Sequence, residues 1–303
     1  MTTTHCGFAA LIGQPNAGKS TLLNALVGWP VAAVTPKPQT TQRLWRGIVT
    51  QGSYQTIWVD SPGCLDPVNA LQTYMHEQFK KVCVSCDVLV HVVNLAQYPV
   101  PADTPDLFSS CDSKKPRVLV LNQIDCLSTQ QVNQGQKAYA SFVGEQVPIC
   151  LVSARTGKGL QQLQQRVEAH LPAGPLLFDP DLITDASERS LTAECIRRQA
   201  MLQLQQELPY CVAVTIETFN EQRRFDKQKP LVDITAILHV ARQSQKAMVV
   251  GREAKRIKAI GTAARRGVQQ LLHCPVMLRL LVRVQSNWTK EVRCLRKLGY
   301  TPS

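Results

Sequence analysis

Apolar residues in the first half of the chain fall in short, nearly unbroken runs. Residues 8–12, 44–50, 56–60, 88–93, 117–121 and 148–152 each read as strands, and Gln51-Gly52-Ser53 is a turn between the second and third. Runs that are apolar throughout predict strands buried on both faces, the mark of a parallel sheet. Helical patterns lie between them, at residues 21–27, at residues 70–85 and from about Leu160. Strand and helix in alternation predict an α/β domain with a mostly parallel sheet.

The pattern changes after a Pro-rich stretch at residues 172–180, which reads as a domain boundary. Asp185-Ala186-Ser187-Glu188 has the spacing of an N-cap and its capping-box partner, and predicts a helix running to about residue 207. Two alternating segments follow, at residues 211–218 and 231–240, joined by a charged loop at 221–229. Ile257, Ile260, Ala264, Val268 and Leu271 then share one helical face, and residues 276–282 read as a closing strand. The division expected is residues 1–175, a linker at 176–186, a smaller α+β domain at 187–287 and a tail at 288–303.

Composition sharpens this in two ways. At 303 residues, with 44% hydrophobic and 18% charged residues, the chain is long enough for two ordinary globular cores. The net charge of +12 is concentrated: residues 181–303 carry 21 Lys+Arg against 11 Asp+Glu, or +10, which leaves +2 for residues 1–180. A polyanionic partner, nucleic acid or acidic lipid, is expected for the second half. The 11 cysteines have no framework spacing and sit mostly in apolar runs, as expected of reduced thiols in the cytoplasm. Cys83 and Cys86 form a C-x-x-C that reads as structural, since no second pair completes a zinc site. The N-terminus has no basic-then-apolar leader, and no apolar run approaches the ~20 residues of a membrane span.

One stretch carries specific chemistry. Gly13-Gln14-Pro15-Asn16-Ala17-Gly18-Lys19-Ser20-Thr21 lies between the first strand and the first helix, as a phosphate-binding G-x-x-x-x-G-K-[ST] loop requires. Its backbone N–H groups and the helix N-terminus would cradle phosphate oxygens. Lys19 would reach the β- and γ-phosphates, and Ser20 would hold Mg²⁺. Asp60, at the end of a buried strand in Asp60-Ser61-Pro62-Gly63, is placed to hold the same ion, with the Gly63 N–H toward a γ-phosphate. Asn122-Gln123-Ile124-Asp125 and Ser153-Ala154 follow later strands, so the whole set sits beyond strand C-termini, where such sheets bind ligands.

This ordered set resembles the G1, G3, G4 and G5 motifs of translation-factor-class GTPases. The resemblance implies that Asp125 accepts from the guanine N1–H and 2-amino group, that Asn122 ties its loop to the phosphate loop, and that the Ala154 N–H meets guanine O6. Adenine lacks those donors, so a buried Asp125 would reject it. Pro38-Gln39-Thr40-Thr41 is similar to the switch I sequence of Era-type GTPases, where Thr41 would complete the Mg²⁺ shell of a bound triphosphate. The chain departs from the family pattern at Gln123 (Lys in the family), Gln42 (Arg) and Ser61 (Thr). Cys64 occupies the position of a water-orienting Gln in Ras-like enzymes, so slow intrinsic turnover is expected and no residue is assigned as catalytic. Asn16 matches a potassium ligand of related GTPases, which implies a K⁺ ion in the place of an arginine finger.

The second half has the element order of a type-II KH domain. Between Arg242 and Arg266 there are eight Lys/Arg and one acid, Glu253. Gly251-Arg252-Glu253-Ala254 stands where a KH domain carries its G-x-x-G loop, which clamps the backbone of about four single-stranded nucleotides. Lys246, Gly251, Arg252, Glu253, Ala254, Lys255 and Lys258 are the expected RNA-binding residues, with Ala254 a departure from Gly. A GTPase domain followed by a KH domain resembles the bacterial Era family over nearly the whole chain. That resemblance implies a monomeric GTP-hydrolysing switch that binds the 3′ end of 16S rRNA and the 30S subunit, with peripheral association at the inner membrane. The other reading is an RNA-binding assembly module that holds nucleotide and scarcely turns it over.

Overall fold

The computed structural model describes residues 3–63, 66–101, 114–144 and 146–300. The chain divides into two compact units, one of residues 1–32, 41–66 and 75–185, the other of residues 33–40, 67–74 and 186–303. Cys64 lies outside the described residues.

The first unit is built on β1 (His5–Ile12), α1 (Lys19–Val27), β2 (Trp45–Gln51), β3 (Tyr54–Asp60), α2 (Ala70–Ser85), β4 (Val88–Asn94), β5 (Arg117–Asn122), α3 (Thr129–Val143), β6 (Ile149–Leu151) and α4 (Leu160–Glu168). The first residues of α2, 70–74, belong to the second unit. The strand order is β2-β3-β1-β4-β5-β6, parallel except for β2, which pairs antiparallel with β3. This is the α/β, mostly parallel sheet that the apolar runs predict. The order reverses between β1 and β4, so the loops at their C-terminal ends diverge and leave a crevice for a ligand.

Cys83 and Cys86 are buried against Ala10, Ile12, Val59 and Leu89, and burial pushes the Cys86 thiol up to about 12. They act there as small apolar side chains. α3 has no counterpart among the helices expected from the hydrophobic pattern. It turns only Val132, Gly135 and Tyr139 inward along 15 residues, too sparse a stripe to stand out. The legible signal was polar: Ser128 and Gln131 form a reciprocal capping box at its start.

The second unit contains α5 (Glu188–Gln203), β7 (Ala213–Arg223), β8 (Leu231–Val240), α6 (Gln243–Val250), α7 (Lys255–Leu272), β9 (Val276–Val284) and α8 (Val292–Lys297). Its sheet runs β7-β8-β9, with β7/β8 antiparallel and β8/β9 parallel. Ile260, Ala264, Val268 and Leu272 of α7 meet Ala236 and Leu238 of β8 and Ile196 and Ala200 of α5 in one apolar core. The helix opening differs from the expected one. Ser187, not Asp185, is the N-cap of α5, accepting from the Ser190 N–H at 3.2 Å, while Asp185 pairs with Arg46 at 2.6 Å. The helix also stops at Gln203, where Leu204 turns extended. Residues 288–300 pack onto this unit: Trp288 is buried, donates to the Cys211 carbonyl at 3.1 Å, and stacks on Tyr300. Among the described residues no helix is long and apolar enough to cross a membrane.

Candidate functional site

The phosphate loop takes its shape from two left-handed glycines. Gly13 has φ +152°, and a Cβ there would stand 2.3 Å from the Val92 carbonyl oxygen of β4. Gly18 has φ +92°, and a Cβ there would stand 2.4 Å from Asn122 Nδ2. Only glycine lets the loop approach both neighbours. Asn16 is itself left-handed, at φ 62°. Lys19 is buried, and its ammonium arches back over the loop to donate to the carbonyls of Gly13 at 3.0 Å and Gln14 at 2.9 Å.

Three oxygens converge at the start of α1. Ser20 Oγ donates to Asp60 Oδ2 at 2.5 Å and lies 2.8 Å from Thr41 Oγ1, which itself lies 3.3 Å from Asp60 Oδ2. Two hydroxyls and a carboxylate are hard donors that suit Mg²⁺, an ion that keeps coordination sites for water and phosphate oxygens. Among the described residues no cluster of three His, Cys, Asp or Glu offers another metal site. Ser61 spends its hydroxyl on the Leu11 carbonyl at 2.8 Å, tying β3 to β1, and Gln42 is buried. Gly63 approaches Pro15 of the phosphate loop so closely that a Cβ would stand 3.1 Å from it.

On the other side of the loop, Asn122 is 1% exposed and bridges two segments. Its Nδ2 donates to the Ala17 carbonyl at 2.9 Å, and its Oδ1 accepts from the Ala154 N–H at 3.1 Å. Gly18, Thr21, Asn122, Gln123, Asp125, Ala154 and Arg155 line a cleft of about 200 Å³ there. Asp125 Oδ1 accepts from Ser153 Oγ at 2.7 Å. That hydrogen bond holds the carboxyl below the usual carboxylate range, and Arg155, ion-paired to Oδ2, adds to it. Gln123 takes a left-handed backbone at φ 65° and donates to the Asn16 carbonyl at 3.3 Å, so its amide lies along the phosphate loop. Arg155 is a member of the cleft that sequence reading missed, because an Arg after Ser153-Ala154 has no motif to mark it.

The structure thus brings Gly13, Asn16, Ala17, Gly18, Lys19, Ser20, Thr21, Thr41, Asp60, Gly63, Asn122, Gln123, Asp125, Ser153 and Ala154 to one end of the sheet. The expected RNA-binding residues lie in the second unit. Gly251 (φ 72°), Glu253 (φ 53°) and Ala254 (φ 56°) form a left-handed turn between α6 and α7. Arg252, Lys255 and Lys258 project from it, largely exposed, with Lys255 paired to Glu253 at 2.9 Å. Lys258 also lines a groove of about 420 Å³ between α7 and β9, with Ile257, Gly261, Arg265 and Leu280. Lys246 sits apart on α6, half-buried.

Comparison with known proteins gives this geometry a family. Residues 8–123 match the family described as 50S ribosome-binding GTPase, and residues 207–289 match the KH domain family. GTPase Era of Syntrophus aciditrophicus is 37% identical over 97% of this chain and 94% of its own length. GTPase Era of Pseudomonas savastanoi pv. phaseolicola is 37% identical over 99% and 98%. The crystal structure of a point variant of Aquifex aeolicus Era bound to GDP·AlF₄⁻ superposes with a TM-score of 0.91 at 30% identity, over 99% of this chain and all of that one. A structure of Era with MgGDPNP and nucleotides 1506–1542 of 16S ribosomal RNA gives the same TM-score, identity and coverage. At more than a third identity along almost the full length of both chains, with a G domain and a KH domain in the same order, this protein belongs to the Era family of GTPases.

Proposed function

We propose that this GTPase binds GTP with Mg²⁺ at the phosphate loop, holds the 3′ end of 16S rRNA on the KH loop and groove, and assists assembly of the 30S subunit. Ser20, Thr41 and Asp60 are the metal-binding residues of this reading. Lys19 neutralises phosphate charge, and Asp125 with the Ala154 N–H reads guanine. The bound ion would supply charge neutralisation and orient phosphate oxygens. Asn122 keeps phosphate loop and base pocket in register, so a nucleotide spanning both would be held at two ends of one rigid frame. The observation that carries the nucleotide assignment is the Asn122 bridge between Ala17 and Ala154, which couples the two halves of a nucleotide cradle.

For the RNA, Gly251, Arg252, Glu253, Ala254, Lys255 and Lys258 offer a turn of positive φ, a helix N-terminus and three exposed cations beside a groove lined by Ile257, Leu278 and Leu280 with Lys258, Thr262 and Arg265. That combination supports single-stranded RNA, whose phosphates the cations meet and whose bases pack against the aliphatic side chains of the groove. Lys246 adds charge from the preceding helix. The relative solved with nucleotides 1506–1542 of 16S rRNA supports the choice of the rRNA 3′ end. The protein would act as a monomer in the cytoplasm, its basic second half resting on the inner membrane face. K⁺ at Asn16 would supply the charge that an arginine finger supplies elsewhere.

Multiple-turnover GTP hydrolysis in K⁺ buffer, with and without an oligonucleotide of the rRNA 3′ end, tests the whole reading. GTP-specific turnover that rises with the RNA supports it. GTP bound and not hydrolysed under either condition would recast the chain as a nucleotide-dependent RNA-binding module. Equal turnover in K⁺ and Na⁺ would remove the potassium assignment.

A further inference from the structure

The peptide that precedes Thr41 is held by α5, and the grip is unusual in its chemistry. Residues 33–40 belong to the second unit, and α5 meets them at three points. Arg198 Nε donates to the Val34 carbonyl at 3.0 Å. The Lys37 ammonium reaches the opposite way and donates to the carbonyls of Met201 and Leu204, where α5 ends. Carbonyls left unpaired at a helix C-terminus favour a cation. Arg197 Nη2 donates to the Thr40 carbonyl at 2.6 Å. Thr40 Oγ1 donates in turn to the Lys37 carbonyl at 2.7 Å and lies 2.6 Å from Thr35 Oγ1, so the segment is also closed upon itself.

Arg197 is 4% exposed and forks onto the buried Glu194, Nε to Oε2 at 2.8 Å and Nη2 to Oε1 at 2.5 Å. A buried ion pair is a poor source of stability, because well-packed apolar side chains of similar volume serve as well or better. What they cannot supply is a donor for Thr40. The carbonyl of Thr40 and the nitrogen of Thr41 share one planar peptide, so a bond at that carbonyl fixes the plane from which Thr41 departs. The next polar atom along is Thr41 Oγ1, 2.8 Å from Ser20 Oγ and 3.3 Å from Asp60 Oδ2.

We propose that Arg197 is a positioning residue for the Mg²⁺ shell: locked by Glu194, it fixes the Thr40–Thr41 peptide and so aims the Thr41 hydroxyl. The proposal rests on the reading of Thr41 as a metal-binding residue of the GTP state. Its consequence is that the helix opening the KH unit sets how firmly a triphosphate-bound Mg²⁺ is held. Lysine cannot replace Arg197, because one ammonium lacks the planar fork that serves Glu194 and Thr40 together.

The test uses the full-length protein as wild type, Arg197→Lys, the double variant Glu194→Met/Arg197→Met, and Thr41→Ala. The double variant fills the buried volume without charge, so a folded protein without the grip is available even where Arg197→Lys fails to fold. Two readouts are taken: the Mg²⁺ concentration for half-maximal binding of a non-hydrolysable GTP analogue, and hydrogen exchange of residues 33–41 in metal-free protein. Both Arg197 variants should raise the Mg²⁺ requirement by roughly tenfold. They should also speed exchange of the segment severalfold, leave GDP affinity at saturating Mg²⁺ unchanged, and add nothing to the Mg²⁺ requirement of Thr41→Ala. If Thr41→Ala shifts the Mg²⁺ requirement while folded Arg197 variants do not, or if the shifts add, the positioning role is overturned. A Thr41→Ala protein with wild-type Mg²⁺ dependence overturns the metal assignment of Thr41 itself, and the proposal with it.

Discussion

Asn122 is the side chain whose loss should be felt most widely in the first unit. Its amide satisfies two backbone groups in segments far apart in sequence, the Ala17 carbonyl at 2.9 Å and the Ala154 N–H at 3.1 Å. Ala17 is 1% exposed and Ala154 8%, so water cannot readily replace the lost partner at either. Asn122→Ala leaves two buried backbone groups unpaired, each at a penalty of about 1–3 kcal/mol, so a total of roughly 2–6 kcal/mol is expected. That total divides between folding stability and nucleotide affinity, because the phosphate loop and the Ala154 peptide can relax only by giving up their alignment. GTP affinity should fall at least about tenfold, equivalent to roughly 1.4 kcal/mol, with the remainder in the urea midpoint. Asn122→Asp separates the two contacts. It keeps an acceptor for the Ala154 N–H but sets a carboxylate oxygen against the Ala17 carbonyl, so the phosphate-loop contact fails while the other survives. Titration calorimetry with GTP and urea unfolding of the same samples measure both parts. An Asn122→Ala protein with wild-type GTP affinity and an unchanged urea midpoint would refute the bridge.

Three further outcomes are expected. Gln123→Lys should strengthen GTP binding by about 1 kcal/mol, since the longer cationic stem can lie over the guanine plane; unchanged affinity by calorimetry would count against that role. Arg252→Ala should weaken binding of a single-stranded rRNA oligonucleotide and reduce the slope of log K against log [salt] by about one, and an unaltered slope would remove Arg252 from the phosphate contacts. Burial, with Arg283 adding to it, pushes the His239 imidazole down to about 4 from its ordinary 6.5. The unfolded chain then takes up a proton that the fold refuses, so this stability is complete above pH 6.5 and is lost as pH falls through about 4. His239→Gln, which can still bond Thr215, should flatten the acid limb of the urea midpoint by the slope of one proton; an identical limb would show that His239 does not carry it.

Much of the proposed nucleotide cradle was legible because its parts lie in short contiguous motifs whose spacing is dictated by backbone geometry. Gly13, Gly18 and Lys19 announce themselves in sequence, and Gly18 must be glycine because Asn122 occupies the space of its Cβ. Strands were legible for the same reason, since burial on both faces leaves continuous apolar runs such as that of β4. What escaped depended on contacts between distant residues. The Arg155 ion pair with Asp125 follows from where two loops end, not from any spacing. α3 hides its few inward residues among glutamines, and the cap of α5 passed from Asp185 to Ser187 because Asp185 had an arginine to meet. Ala254 shows the converse limit: the sequence marks it as a departure from glycine, and only the backbone shows that the residue still adopts the left-handed turn, at φ 56°. Such a turn costs a non-glycine residue roughly 1–2 kcal/mol.

The second unit draws on residues 33–40 and 67–74 as well as on everything after 185, so the chain passes between units after residues 32, 40, 66, 74 and 185. A module joined at five places is not a detachable cassette. Expression of residues 1–185 alone would strip Lys37 and Thr40 of Met201, Leu204 and Arg197, and Leu71 of the Thr289 carbonyl that it bonds at 3.0 Å. Chimeras that exchange RNA-binding halves between relatives would need to carry both short segments with the graft. A fragment of residues 1–185 assayed by itself would report on a chain whose residues 33–40 and 67–74 had lost their native partners. Inheritance within the family should likewise treat these segments and the C-terminal half as a single co-varying block, although 145 residues separate Thr40 from Ala186 along the chain.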